Sequence, residues 1–274
     1  MTVFDNFAQQ VALLMQQATA ELVLPRYQNL MDGQIDTKSG PDDLVTVADR
    51  EAEEWLTPRL LALKNGVCVG EEAVAQNPAI RDQAGNGTVW TVDPVDGTHN
   101  FVHGKDHFCM MVALLEDGIP QRAWLWHSLQ EELYYARTGA GAYNIKGDDI
   151  TRLSVSDTLP HMEQLVGEGS TKFLKPPFRG EFIERIKRIE NRISLRCAGV
   201  LAMKLAAGDI HFIMHGNCTP WDHAPVDLLC REAGAYAGMS VDGRPFNAAY
   251  NEAFMVASSK AAWDQLNREI WKGE

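Results

Sequence analysis

The rhythm of the expected elements changes partway along this chain, and that change constrains the fold more than any other feature. Residues 3–30 carry apolar positions at helical spacing (Phe4, Phe7, Val11, Leu14, Met15, Leu22), which predicts one long amphipathic helix. A second helix is expected from about Asp49 to Lys64, and Val67-Cys-Val-Gly70 reads as a short buried strand. A polar, Gly-rich loop is expected over 76–88. Residues 107–117, 119–126 and 131–136 read as successive strands with a hairpin signal at Asp117-Gly118. Beyond about residue 150 the pattern alternates. Strands fit near 164–168, 193–196, 209–214 and 253–257, and helices near 178–190, 199–207, 222–233 and 260–272. Helix and antiparallel sheet first, then alternating α/β, predicts two packed subdomains, about 1–150 and 151–274, with a cleft between them.

Charge and cysteine usage narrow the partners. The net charge of −12 argues against a nucleic-acid polymer or an anionic membrane surface. Cys68, Cys109, Cys197, Cys218 and Cys230 are odd in number and lack CxxC spacing, so a reducing cytoplasm is expected rather than a disulfide framework or a zinc site. No signal peptide is expected, since the first residues lack a positive n-region and an apolar h-region, and no apolar run approaches a membrane span.

The segment Trp90-Thr-Val-Asp-Pro-Val-Asp-Gly-Thr-His-Asn-Phe101 concentrates chemistry. Val89, Trp90 and Val92 suit a buried strand, and Pro94 holds Asp93 extended. Gly97 permits an unusual backbone, and Thr98 suits a helix N-cap. Two hard oxygen ligands, Asp93 and Asp96, therefore sit beside a helix start, a natural place for Mg2+ and phosphate together. The plain alternative is an acidic turn ending a strand. Asp49 and Asp222 alone read equally well as helix caps, and Glu71 as a solvated strand end. His103 and His107 have metal-like spacing, but no zinc signature accompanies them. The charges between 178 and 190 read as a solvated helix face.

Four separated pieces form one constellation: Lys38-Ser with Leu44-Val-Thr-Val-Ala-Asp49, Gly70-Glu71-Glu72, Asp93-Pro-Val-Asp-Gly-Thr98, and Trp221-Asp222-His-Ala-Pro running to Gly234. In this order and spacing the chain resembles the inositol monophosphatase family of Mg2+-dependent, lithium-sensitive phosphatases. The resemblance implies a five-layered αβαβα sandwich formed as one domain over 1–274, two or three Mg2+ ions, a small phosphorylated substrate and a homodimer. It also implies hydrolysis of a small phosphomonoester, an inositol monophosphate or a related polyol or sugar phosphate, by metal-activated water. Carried over, Glu71, Asp93, Asp96 and Asp222 would be metal carboxylates and the Val95 carbonyl a further ligand. Asp49, Thr98 and Glu71 would position the attacking water. Val95, Asp96, Gly97, Thr98, Ala198, Gly199, His215 and Asp222 would meet the substrate.

The substrate side departs from the family pattern. His215 stands six residues before Trp221, where inositol-hydrolysing relatives place a glutamate. Val226 adds bulk where a glycine is usual, and Arg196-Cys-Ala-Gly199 replaces a Gly-Ser-Ala-Ala-like stretch. The same chemistry on fructose 1,6-bisphosphate, histidinol phosphate or a nucleotide 3′-phosphate is therefore the alternative within the enzyme class. A metal- or phosphate-binding regulatory protein is the alternative outside it.

Overall fold

The computed structural model describes residues 3–31, 33–37, 44–155 and 161–274. Lys38 and Ser39 of the first motif lie outside the described residues, as does part of the expected junction, 156–160. Helix α1 (Asn6–Ala18) is capped by Asp5, whose carboxylate accepts the Ala8 amide. It does not continue to residue 30. It widens to a π-turn over Thr19–Val23 and tightens to a 3-10 turn over Leu24–Arg26, where Pro25 has no amide to extend the ladder.

A short antiparallel pair, β1 (Ile35–Thr37) and β2 (Leu44–Thr46), leads into α2 (Val47–Leu63). The cap of α2 is Thr46, not Asp49; Asp49 is the third helical residue and completes a capping box with it. A seven-stranded sheet follows in chain order: β3 (Val67–Gly70), β4 (Thr88–Asp96), β5 (Cys109–Glu116), β6 (Ile119–His127), β7 (Glu132–Arg137), β8 (Gly141–Lys146) and β9 (Asp149–Arg152). β3 and β4 run parallel and each later neighbour antiparallel. Their crossover holds α3 (Glu71–Gln76) and a 3-10 helix over Pro78–Gly85, where a loop was expected. Helix α4 (Thr98–Val102) joins β4 to β5. The Asp117-Gly118 turn has both residues at positive φ, 50° and 76°, as a tight hairpin requires.

The second half supplies β10 (Val166–Gly169), β11 (Asn191–Arg192), β12 (Phe212–His215), β13 (Tyr236–Met239) and β14 (Phe254–Ala257), in the order β11-β10-β12-β14-β13. Helices α5 (Phe178–Ile186), α6 (Ala198–Ala206), α7 (Pro220–Glu232) and α8 (Lys260–Leu266) accompany them. The expected strand at 193–196 is not formed. β11 is a two-residue edge strand, and the chain then leaves the sheet to enter α6. Strand β13, which the alternation did not reveal, carries Ala and Gly where a strand usually carries branched side chains.

Side-chain parity sorts these elements into layers. On β4 and β5, Trp90, Val92, Met110, Val112 and Leu114 pack with α1 and α2. Val89, Met111, Ala113 and Leu115 point the other way, onto α6 and α7. Those two helices are covered in turn by Ile213, Phe254 and Val256 of the smaller sheet. Phe212, Met214, Met255 and Ala257, one residue out of step, face α5 and α8. The result is an αβαβα sandwich, with α6 and α7 enclosed between sheets. Their composition follows: in α6, Ala-Gly-Val-Leu-Ala-Met-Lys-Leu-Ala, the residue that is not buried is Lys204. Among the described residues, no helix is long and apolar enough to cross a membrane.

Candidate active site

The motif at the end of β4 poses a geometric problem that the structure resolves. Asp93 and Asp96 are three apart, and on a regular strand they would face opposite sides of the sheet. The register shifts between them. Asp93 pairs with Met111 and Asp96 with Cys109, so three steps on β4 match two on β5. This bulge returns both carboxylates to the face shared with Val89, toward α7. Pro94 fits there because a bulged residue needs no ladder amide. Val95 turns its side chain into the opposite core. The chain then leaves the sheet at Gly97, φ +88°, where a Cβ would lie 2.6 Å from the His107 carbonyl oxygen. Gly97 occupies the cap position of α4, and Thr98 is its first helical residue rather than its cap.

Two further carboxylates approach from other segments. Glu71 opens α3 directly after β3, and Asp222 lies in the first turn of α7. One carboxylate oxygen from each of Glu71, Asp93 and Asp222 lies within 4.8 Å of the others. The turn that presents Glu71 is held by Glu53, a buried residue that sequence reasoning missed. Its carboxylate accepts the Glu72 and Ala73 amides, each at 2.8 Å. A sequence signal existed: Asp49 and Glu53 lie one helical turn apart, on the buried face of α2 with Ala48, Ala52 and Leu56. Asp222 is steadied by the Thr219 hydroxyl, which donates to it at 2.6 Å.

Asp49 and Thr98, expected together, are together. The Thr98 Oγ1 lies 3.1 Å from Asp49 Oδ1 and 2.9 Å from the Val95 carbonyl oxygen, with one hydroxyl proton to share between them. The second Asp49 oxygen accepts both the amide and the hydroxyl of Thr46, at 2.9 and 2.5 Å. Asp49 is thus buried, oriented and able to hold the Thr98 hydroxyl.

Asp96 stands slightly apart. Its Oδ2 accepts the Gly199 amide at 2.6 Å and the Cys197 thiol at 3.0 Å, with the Cys109 sulfur at 3.8 Å. Neither cysteine was expected here. Gly199 does not line the cavity beside these residues; it packs behind Asp96, and a Cβ there would lie 2.3 Å from the Cys109 sulfur. Val226 is likewise buried in the core between the sheets, away from the cavity wall. His215 does line the cavity, as do Val95, Gly97, Thr98 and Ala198. His215 stacks edge-on against His223, with ring centroids 4.6 Å apart. Burial pushes these two imidazoles down to about 3 and about 4, so both are neutral at physiological pH. Among the described residues, His103 and His107 join no cluster of three or more possible metal donors.

The carboxylates meet in a cavity of about 1200 Å³. Burial, then the charges of Glu71, Asp96 and Asp222, hold the Asp93 carboxyl well above the usual carboxylate range. Burial and Asp222 push Asp96 up to about 7, against the pull of the Cys197 thiol and the Gly199 and Ala198 amides. Carboxylates gathered at this cost call for a cation. Hard oxygen donors at this spacing suit Mg2+ better than a thiol- or imidazole-seeking metal. Glu71, Asp93 and Asp222 could hold it, with the Val95 carbonyl and the outer oxygen of Asp96 alongside.

An αβαβα sandwich with converging carboxylates at the ends of β3, β4 and the start of α7 defines a phosphatase class. The Inositol monophosphatase family profile matches residues 6–273, and the chain belongs to that family. It is a phosphoric monoester hydrolase by that membership. Inositol-1-monophosphatase of Bacillus subtilis is 29% identical over 82% of each chain. Fructose-1,6-bisphosphatase/inositol-1-monophosphatase of Thermotoga maritima is 30% identical over 78% of each. The crystal structure of inositol monophosphatase-II from Staphylococcus aureus superposes with a TM-score of 0.78 at 25% identity, covering 97% of this chain and 94% of that one.

Proposed function

We propose that this chain hydrolyses a small phosphomonoester, of the polyol or sugar phosphate type, with Glu71, Asp93, Asp222, the Val95 carbonyl and Asp96 holding two or three Mg2+ ions. The observation that carries this reading is the convergence of Glu71, Asp93 and Asp222 within 4.8 Å beside the Asp49–Thr98 hydrogen bond. When bound, the ions neutralise the phosphoryl oxygens and lower the pKa of the attacking water. The chain's own residues do the rest. Thr98 Oγ1, with its proton directed to Asp49, accepts a hydrogen bond from the water and fixes it in line. The Glu71 carboxylate takes the water's proton as the new P–O bond forms. The amides of Gly97 and Thr98, at the opening of α4, orient the phosphate. The P–O bond to the alcohol breaks, the leaving alkoxide takes a proton from a solvent water that recovers it from Glu71, and inorganic phosphate is released. No covalent phosphoenzyme is needed, because Asp93 serves as a ligand and not as a nucleophile.

The test is phosphate release from polyol, sugar, nucleotide and histidinol phosphates with and without Mg2+. Metal-dependent turnover of at least one supports the reading; none from any substrate overturns it. The same proposal includes a reducing cytoplasm, consistent with five free cysteines. It also includes a homodimer and inhibition by Li+, which sedimentation and a Li+ titration check.

A further inference from the structure

The cavity is not acidic throughout. Glu71, Asp93, Asp96 and Asp222 occupy the end formed by β3, β4 and α7, whereas Lys172, Arg179, Arg192 and Arg196 line the end formed beside β10 and β11. These four cations come from separate places: the turn after β10, the first turn of α5, edge strand β11 and the loop entering α6. In a chain with net charge −12, four cations around one end of one cavity are not explained by composition.

Two of the four are built into position. Arg192 donates through Nη1 to the carbonyl oxygens of Ile186 and Ile189. These neutral acceptors fix the guanidinium without cancelling its charge, and among the described residues Nε and Nη2 make no hydrogen bond. Arg196 sits at φ +52°, a left-handed conformation that a non-glycine side chain adopts only when its surroundings impose it. The imposing group is Glu168, whose carboxylate accepts the Leu195 amide at 2.6 Å and the Arg196 amide as well. Among the described residues lining this end, Glu168 is the carboxylate beside four cationic side chains. Arg196 also directly precedes Cys197, whose Cβ would be 3.2 Å from a Cβ on Gly97, so the basic arc begins next to the phosphate cradle. His215, which also lines the cavity, adds no carboxylate.

We infer that this basic arc is a second anion subsite, and that the preferred substrate is a phosphomonoester whose alcohol carries another phosphate or an equivalent anionic group. This rests on the phosphatase reading above. The phosphate to be cleaved lies at the carboxylate end, and the leaving alcohol extends toward β11, where Arg192 and Arg196 meet its anionic group. A guanidinium offers paired donors in the plane that a phosphate accepts. Each charge-assisted contact at an exposed site contributes about two- to fivefold in affinity, and two together on the order of tenfold.

The test compares kcat/KM, with Mg2+, for matched pairs: fructose 1,6-bisphosphate against fructose 1-phosphate, and adenosine 3′,5′-bisphosphate against 3′-AMP. The wild-type enzyme is expected to favour the doubly phosphorylated member of at least one pair by about tenfold or more. In Arg192→Gln and Arg196→Gln that ratio falls toward one, mainly through KM, and Arg192→Lys restores part of it. Arg179→Gln, on an exposed position of α5, lowers the ratio too and guards against misfolding of the Arg192 variant. A wild-type ratio near one in both pairs, or an undiminished ratio in all the variants, overturns the subsite. Calorimetry with the same pairs separates the two failures. Equal affinity for both members overturns the subsite whether or not turnover occurs. Tighter binding of the doubly phosphorylated member without turnover keeps the subsite and rejects the phosphatase reading.

Discussion

Asp93→Asn should separate what the site costs the fold from what it gives the reaction. One oxygen of Asp93 lies within 4.8 Å of carboxylate oxygens from both Glu71 and Asp222. At an effective dielectric constant of about 20, each such pair repels by roughly 3.5 kcal/mol when both are ionised. Burial first, and this repulsion second, keep the Asp93 carboxyl of the metal-free protein protonated well above its usual range. The net relief from the amide should then be about 1–3 kcal/mol at alkaline pH. The sign follows from proton binding. With its folded pKa raised above the unfolded 3.8, Asp93 makes the metal-free fold lose stability as pH rises from 3.8 to the raised value. The advantage of asparagine is absent in acid and grows through that interval. Thermal unfolding in a chelator should show the variant melting a few degrees higher at pH 8, at about 2–4 °C per kcal/mol. Saturating Mg2+ should reverse the order, since a ligand at one hundred times its Kd adds about 2.7 kcal/mol to a protein that binds it and nothing to one that does not. Phosphate release should fall by at least about a thousandfold if an essential ligand is lost, corresponding to roughly 4 kcal/mol of barrier. A variant less stable than wild type in chelator at pH 8, or equally stabilised by Mg2+, refutes this reasoning.

Other perturbations probe the surroundings. Thr98→Val removes the hydroxyl between Asp49 and Val95 and should lower kcat about 100-fold with little change in KM; a change confined to KM assigns Thr98 to binding alone. Glu53→Leu leaves the buried Glu72 amide and the partly buried Ala73 amide without this acceptor and should cost about 1–3 kcal/mol in denaturant unfolding; a loss under about 0.5 kcal/mol removes Glu53 from the support of Glu71. Gly199→Ala drives a methyl group to 2.3 Å from the Cys109 sulfur and should cost about 1–3 kcal/mol while displacing Asp96, so the concentration of Mg2+ giving half-maximal activity should rise. An unaltered Mg2+ requirement would detach Gly199 from Asp96.

The order of layers was legible because it rests on local periodicity. The strands at 107–136 and the helices at 199–207 and 222–233 are within a few residues of β5–β7, α6 and α7. What was lost is what neighbours decide. The bend after α1, the brevity of β11 and the Ala- and Gly-bearing β13 depend on packing that no window of sequence contains. The candidate carboxylates were picked out by motif order, but their shared face was not legible, since the Asp93–Asp96 spacing argues against it until the bulge is seen. Glu53, Cys109 and Cys197 were missed because each acts across the fold: Glu53 on amides 19 and 20 residues away, Cys197 on a carboxylate 101 residues away. Lys172, Arg179 and Arg192 look in sequence like ordinary solvated charges, and Arg196 only like part of a departure from the family pattern. Only the closure of β10 and β11 against the loop entering α6 sets them around one cavity.

The proposed function requires Glu71, Asp93 and Asp222 to form one metal centre from three chain segments. Anomalous diffraction from crystals soaked in Mn2+, a stand-in for Mg2+ of the same ligand preference, tests that most directly. The strongest anomalous peak should lie between these three carboxylates, at about 2.0–2.3 Å from their oxygens. A peak elsewhere, with the three carboxylates unliganded at saturating Mn2+, would contradict it.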